Sequence, residues 1–198
     1  SGGTLAGSSG TIDLNGDITL TGGTFTAPTG TFTIAGNWTD AGAGVFNKGT
    51  STVTFDGGGD QTIVANEAFN NVKVSNPTST TKIASFALTT TGTLEITSGT
   101  FNMNNLSSTI SGLATVNGGT LVLSNTPAVH TFNGGLSVPG STVTGGTGDV
   151  DINGDLTIAA GTFTAPTGIL YVSGNFTHSG GTFTHNSGTV KLDGTNQT

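Results

Sequence analysis

The chain has 198 residues, of which 41 are Thr and 34 are Gly, and its hydrophobic content of 32% is sufficient for a buried core. It carries four Lys, no Arg and a formal net charge of -7, which excludes electrostatic binding to nucleic acid and disfavours anionic lipid. The absence of Cys removes disulfides, thiolate metal sites and thiol nucleophiles. Because no long apolar run is present, membrane insertion is not expected either.

Short β-strands are predicted along the whole chain, because apolar residues alternate with Thr, Lys or Asp in runs of three or four. In chain order, examples are Thr24–Thr26, Thr52–Phe55, Val72–Val74, Thr93–Ile96, Leu121–Leu123 and Val190–Leu192. Gly-Thr pairs open many of these runs, and Gly, Asn, Asp and Pro between the runs supply turns. Strong helix formers are scarce, so the predicted class is all-β.

A long internal repeat decides the predicted architecture. The 30 residues from Gly10 return from Gly148 with 17 identities, and residues 10–64 and 148–198 are equivalent overall. Stacked coils of about 20 residues explain both this repeat and the short strands, whereas an immunoglobulin-type sandwich has dissimilar strands. We therefore predict a right-handed parallel β-helix, a single β-solenoid of about ten coils over residues 1–198.

The repeat also predicts register and core. We expect the two copies of the string GTFTAPTG to occupy the same position in the turn, about seven turns apart, with Phe25 and Phe163 both inward. Aromatic residues are assigned to the interior rather than to a sugar-stacking surface. The predicted core residues are Phe25, Ile34, Trp38, Phe55, Phe69, Leu94, Phe101, Leu123, Phe163, Val172, Phe176 and Phe183.

Three sets of strings carry a family resemblance: GTFTAPTG, GNWT or GNFT, and TVTFDG or TVKLDG. They resemble the repeat regions of large bacterial surface proteins, of the adhesin or filamentous-haemagglutinin-like β-helix type, and the resemblance spans nearly the whole chain. It implies a stalk, a fibre or an adhesive shaft. That family has no motif-defined catalytic residues to carry over to this sequence.

One repeated motif is a candidate calcium site, because alternating carboxylate and amide oxygens ahead of Gly can ligate this ion. The residues are Asp13, Asn15 and Asp17, and again Asp151, Asn153 and Asp155. The Glu that closes a full calcium loop is absent, and Asn-Gly-Asp is equally a turn between two strands. Calcium is therefore the one candidate cofactor, with a turn as the alternative interpretation.

Catalysis by carboxylates is not expected, so the chain is predicted not to be an enzyme. Glu occurs only as Glu67 and Glu95, Arg is missing, and the acidic residues are scattered. His178 and His185 align with residues other than His in the first copy of the repeat. His130 lies beside the apolar residues Val129 and Phe132, where a packed or surface histidine is the expected role.

Threonine-x-threonine strands raise the alternative of an ice-binding face, on which outward Thr side chains order water. They occur at Thr24/Thr26, Thr31/Thr33, Thr52/Thr54, Thr142/Thr144, Thr162/Thr164 and Thr182/Thr184. The stretch between Thr54 and Thr142 lacks such a triplet with an apolar central residue, so ordinary strand propensity is the alternative explanation.

Four Asn-x-Ser/Thr triplets are candidate sites of N-glycosylation. They begin at Asn37, Asn105, Asn175 and Asn196. In a chain this rich in Asn and Thr, such triplets also arise by chance.

The predicted function is structural: the shaft of an extracellular filament or a cell-surface adhesin, with a carbohydrate-binding or ice-binding surface module as the alternative. Compared with the first copy of the repeat, the second stops in mid-strand, and no polar cap precedes the first coil. We expect both ends to be covered, by further repeats of a longer chain or by head-to-tail self-association. Surface glycans are the other expected partner.

Overall fold

The computed structural model describes residues 2–123, 125 and 128–198 as a stack of short β-strands. The predicted domain also includes Ser1, Ser124, Thr126 and Pro127, which lie outside the described residues. No helix among the described residues is long and apolar enough to cross a membrane. The predicted all-β class is confirmed.

The strands form three columns, called faces 1, 2 and 3 in the order in which the chain visits them. Face 1 contains β1 (Thr4–Ala6), β4 (Thr24–Thr26), β7 (Val45–Asn47), β11 (Leu88–Thr90), β13 (Ser108–Ile110), β16 (Val129–Phe132), β19 (Asp149–Ile152), β22 (Ile169–Val172) and β25 (Thr189–Leu192). Face 2 contains β2 (Ile12–Leu14), β5 (Phe32–Ile34), β8 (Thr52–Phe55), β14 (Ala114–Val116), β17 (Leu136–Val138), β20 (Leu156–Ile158) and β23 (Phe176–His178).

Face 3 contains β3 (Ile18–Leu20), β6 (Trp38–Asp40), β9 (Gln61–Ala65), β15 (Thr120–Val122), β18 (Ser141–Thr144), β21 (Gly161–Thr164) and β24 (Thr182–Thr184). Two longer strands, β10 (Asn71–Ile83) and β12 (Leu94–Asn102), pass from face 2 to face 3. The register of β10 against β12 shifts around Ser75, where β10 contains extra residues at the corner.

Each strand pairs in parallel with the strand one turn away, and paired residues lie between 19 and 25 positions apart in the sequence. The chain completes nine turns, and β25 opens a further one. This confirms the predicted parallel β-solenoid, with about nine turns rather than ten. The coil length of about 20 residues, taken as typical of stacked coils, agrees with these pairing distances.

The core is the set of inward columns of the three faces. Ten of the twelve predicted core residues are buried, and the other two, Phe176 and Phe183, are partly buried and packed against the core. Around Trp38 the rings make edge contacts, with centroid distances of 4.7 Å to Phe46 and 5.0 Å to Phe69. Such pairs add to the free energy of burying apolar area.

Face 1 is interrupted between β7 and β11. In this turn only Phe69 forms a bridge, to Thr90 in the next turn. The main-chain N–H of Phe46 donates instead to the carboxylate Oε2 of Glu67. The Glu67 side chain thus accepts the hydrogen bond that a paired strand would otherwise accept from Phe46.

The two copies of GTFTAPTG do not occupy the same position in the turn, so the predicted register is wrong. The first copy forms β4 on face 1, and the second forms β21 on face 3, six turns and two faces later. Phe25 and Phe163 are nevertheless both buried, with 4% and 0% exposure. The long repeat is therefore offset from a whole number of turns by one face.

The corners explain this offset, because the same side-chain bonds close different corners in the two copies. Gln61 closes the corner between faces 2 and 3, and Gln197 closes the corner between faces 1 and 2, each by donating from Nε2 to two main-chain carbonyls. The acceptors are Ile34 and Gly36 for Gln61, and Val172 and Gly174 for Gln197. The repeated unit is one strand with its corner, which fits both of these corners.

The backbone conformation at the corner that leads into face 3 explains why Gly-Thr pairs recur there. Gly99, Gly119, Gly161 and Gly181 all have positive φ, between 74° and 77°. A Cβ atom at Gly119 would lie 2.1 Å from the carbonyl oxygen of Gly99 in the preceding turn. Only Gly combines the left-handed conformation with this close approach of two backbones.

We expect Gly119→Ala to lower the free energy of unfolding by about 2 kcal/mol, because a left-handed non-Gly residue costs about 1–2 kcal/mol before the clash is counted. Gly140→Ala is the matched control, since no atom lies within 4 Å of a Cβ built there. Urea denaturation followed by circular dichroism measures both. Equal stability of the two variants would contradict the proposed role of the glycine corner.

Candidate functional site

The first copy of the calcium motif lies across a face and a corner. Asp13 points outward from β2 and accepts a hydrogen bond from Thr33 Oγ1 at 2.8 Å. Asp17 Oδ1 accepts bonds from the main-chain N–H and Nδ2 of Asn37, at 2.7 and 3.0 Å. Asn15 is exposed in the turn between them. The two carboxylates thus bind the next turn of the solenoid.

The second copy behaves in the same way. Asp155 Oδ1 accepts the main-chain N–H of Asn175 at 2.8 Å, and Asn153 Nδ2 donates to Asn133 Oδ1 at 2.9 Å. Asp151 points outward from β19. Across residues 2–123, 125 and 128–198, no group of three or more His, Cys, Asp or Glu is placed to hold a metal ion. These contacts support the turn interpretation, and calcium binding stays a prediction.

The four glycosylation candidates fall into two environments. The Asn37 amide is fully engaged, since its Nδ2 donates to Asp17 and its Oδ1 accepts from Thr62. Asn175 Oδ1 likewise accepts hydrogen bonds from the main-chain N–H and the side-chain hydroxyl of Thr198. Asn105 and Asn196 are exposed at left-handed positions with φ of 60°, although Asn105 Oδ1 also accepts the main-chain N–H of Asn125. If modification occurs, we expect it at these two.

The two glutamates have structural partners. Glu67 accepts the strand N–H at the interruption of face 1. Glu95 forms an ion pair with Lys73 in the neighbouring turn of face 2, at 3.1 Å. These contacts give both residues a role in joining turns.

The three histidines do not cluster. His130 is fully buried in the inward column of face 1, where its Nδ1 lies 2.9 Å from Ser108 Oγ. Burial lowers the pKa of His130 from its ordinary 6.5 to about 4. His178 and His185 are exposed near the end of the stack. Of the two roles expected for His130, packed or at the surface, the structure shows the packed one.

Threonines form an unbroken outward column on face 3. In six successive turns the paired residues are Thr80, Thr100, Thr120, Thr142, Thr162 and Thr182. A second outward column lies beside it on the same face. In its first three turns this column contains Lys82, Asn102 and Val122, and in its last three turns it contains Thr144, Thr164 and Thr184. Three of the predicted Thr-x-Thr strands are thus adjacent, and the other three lie on faces 1 and 2.

An open cleft of about 340 Å³ lies on face 1, over β16, β19 and β22 and the corners that follow β19, β22 and β25. It is lined by Val129, Asp149, Asp151, Asn153, Tyr171, Ser173 and Asp193. Lys191 Nζ lies 5.1 Å from the centre of the Tyr171 ring and 3.8 Å from Asp193 Oδ2. Three carboxylates, an amide, a hydroxyl and one aromatic ring therefore share one surface.

The cleft was missed at the sequence level, although a signal existed. Tyr171 is the only tyrosine of the chain, and the strand around it reads Ile-Leu-Tyr-Val where the first copy has Thr-Phe-Thr-Ile. The alternation places Leu170 and Val172 inward and Tyr171 outward. The neighbours of Tyr171 in other turns are 20 residues away in sequence, so only the register reveals them.

A search of protein-family models, of curated proteins and of solved structures found no match to this chain.

Proposed function

We propose that this chain is part of a stiff shaft of an extracellular filament or a cell-surface adhesin. The observation that carries the proposal is an apolar inward column on face 2 that continues through all nine turns. Its members are Ile12, Phe32, Val53, Val72, Leu94, Ala114, Leu136, Leu156 and Phe176. Because each turn packs only on its neighbours, such a column can be lengthened without changing the cross-section.

Polar contacts along the outside support the same role. Asp17, Asn37 and Thr62 bond in succession through three turns, and Asp155 and Asn175 do so in the later turns. Each bond joins one turn to the next, so bending or opening the stack breaks both core packing and these ladders. A rod of this kind resists proteolysis because few unpaired strands are accessible.

Apolar residues at the two ends of the stack support assembly along its axis. Leu5 and Leu192 are 62% and 55% exposed, although Phe25 and Val172, paired with them one turn inward, are buried. A further turn would bury them by the same packing. We propose that this turn comes from a second copy of the chain or from more repeats of the same polypeptide.

The test is assembly of the isolated chain. Sedimentation and electron microscopy are expected to show rods that lengthen with protein concentration, and Leu5→Lys or Leu192→Lys is expected to shorten them. Leu113→Lys is the matched control, because Leu113 is 44% exposed but lies at a corner in the middle of the stack. A monomer at every concentration, with its end turns protected from hydrogen exchange, would contradict self-association.

Ice binding remains the weaker alternative. The outward Thr pairs coincide on face 3 only at β18, β21 and β24, and in the three preceding turns the second column holds Lys, Asn and Val. A two-dimensional lattice of hydroxyls therefore covers three turns of nine. The same protein sample tests it, since ice binding would arrest crystal growth below the melting point.

A further inference from the structure

The cleft on face 1 places an aromatic ring between groups of opposite charge. In the outward column of this face, Asp151, Tyr171 and Lys191 follow one another in three successive turns. Neighbouring turns are about 4.8 Å apart, so the three side chains form one continuous strip. The strip runs parallel to the axis of the stack.

The position of Tyr171 is fixed by the buried residues next to it in β22. Leu170 and Val172 on either side of it are fully buried, which fixes the strand and directs the tyrosine outward. A tyrosine ring offers a flat apolar surface and a hydroxyl that can donate or accept a hydrogen bond. Lys191 rests against this ring, and because its side chain is 57% exposed it is free to swing towards a ligand.

Polar groups around the ring supply acceptors and donors at fixed positions. Within the described part of the chain, the Asp151 carboxylate makes no hydrogen bond to protein, so its oxygens are available to a ligand. Asp149 and Asp193 each use Oδ1 to join the turns, accepting from Ile169 N–H and Ser173 Oγ, which holds both carboxylates rigid. The cleft thus combines ordered acceptors with a mobile ammonium donor.

We propose that this cleft binds a neutral hexose polysaccharide, with one sugar ring over Tyr171 and its hydroxyls bonded to Asp151 and Lys191. Sugar hydroxyls both donate and accept, which matches the carboxylates one turn before the ring and the paired ammonium and carboxylate of Lys191 and Asp193 one turn after it. Three carboxylates against one lysine disfavour uronates and sulfated sugars by charge repulsion.

This site does not depend on assembly of the chain into a shaft. The single tyrosine provides a direct probe, because protein labelled with ¹³C-tyrosine gives the ring signals of one residue. We expect these signals to shift saturably on titration with cellohexaose or mannohexaose. Tri-galacturonate, the anionic probe, is expected to bind at least about ten-fold more weakly, which corresponds to about 1.4 kcal/mol.

Variants separate the site from the fold. Asp151→Ala and Tyr171→Ala are expected to weaken hexaose binding at least about ten-fold, and Tyr171→Phe to weaken it less, because the ring is kept. Thr115→Ala is the matched control, an outward residue in mid-strand on face 2. Because Asp151→Ala leaves the ring packing intact, it tests the site even if Tyr171→Ala unfolds. The proposal is overturned if millimolar hexaose leaves the tyrosine signals unmoved, if Asp151→Ala binds as well as the parent, or if tri-galacturonate binds equally.

Discussion

Phe163→Ala is expected to lower the free energy of unfolding by about 3–5 kcal/mol, the range for removing a large aromatic side chain from a closed core. Phe163 has 0% exposure and lies in the inward column of face 3. Its ring stacks on that of Phe183 in the next turn, with a centroid distance of 5.8 Å and an interplanar angle of 15°. No turn of the stack can close over the resulting cavity without breaking its strand ladders.

Phe183→Ala is the matched comparison, because the two residues share a column and a stacking contact. Phe183 is only partly buried at the end of the stack, so its loss is expected to cost about 1–2 kcal/mol in the monomer. In assembled rods a neighbouring turn would cover Phe183. The loss in free energy of unfolding caused by Phe183→Ala should then approach the loss caused by Phe163→Ala. Urea denaturation of monomer and rods measures both, and an equal cost of under about 1 kcal/mol for the two would contradict the core assignment.

The fold was predictable because each local signal repeats many times. Alternation around residues such as Val53 and Phe55 or Val190 and Leu192 selects strands, and the similarity of the strands selects stacking over a sandwich. Burial of Phe25, Trp38 and Phe163 follows from the same alternation. Nine repetitions of one pattern compensate for the weakness of each single strand signal.

Register was not predictable from the repeat alone. The sequence around Gln61 matches that around Gln197, and the two glutamines make matching bonds, yet they close different corners. Two different corners with the same chemistry accept the same residues, so sequence identity does not reveal which corner is used. The count of residues per turn decides it, and that count varies, since paired residues lie from 19 to 25 positions apart.

The candidate site was harder to predict than the fold, for a related reason. Asp151 was singled out as a calcium ligand because of its neighbours in sequence, Asn153 and Asp155. The structure gives it Tyr171 as a neighbour across the turn instead, and Lys191 follows one turn further. In a solenoid the contacts that make a surface site are one turn apart, and a wrong register conceals them.

Acidification is expected to destabilise the protein through His130. Burial lowers the pKa of His130 in the folded state to about 4, whereas an exposed histidine in the unfolded chain has a pKa near 6.5. As the pH falls, His130 is therefore protonated in the unfolded chain before it is protonated in the folded protein. The stability associated with neutral His130 is complete above about pH 6.5 and is lost as the pH falls from 6.5 towards 4. The difference corresponds to about 3 kcal/mol.

Urea denaturation between pH 7.5 and 4.5 measures this loss against a variant that cannot titrate, His130→Leu. His130 occupies an inward position between Ser108 and Val150, where an apolar side chain is compatible with the column. We expect His130→Leu to remove most of the pH dependence in this window, while His178→Leu, at an exposed position, leaves it unchanged. A pH profile of His130→Leu that parallels the parent would show that other groups control the acid response.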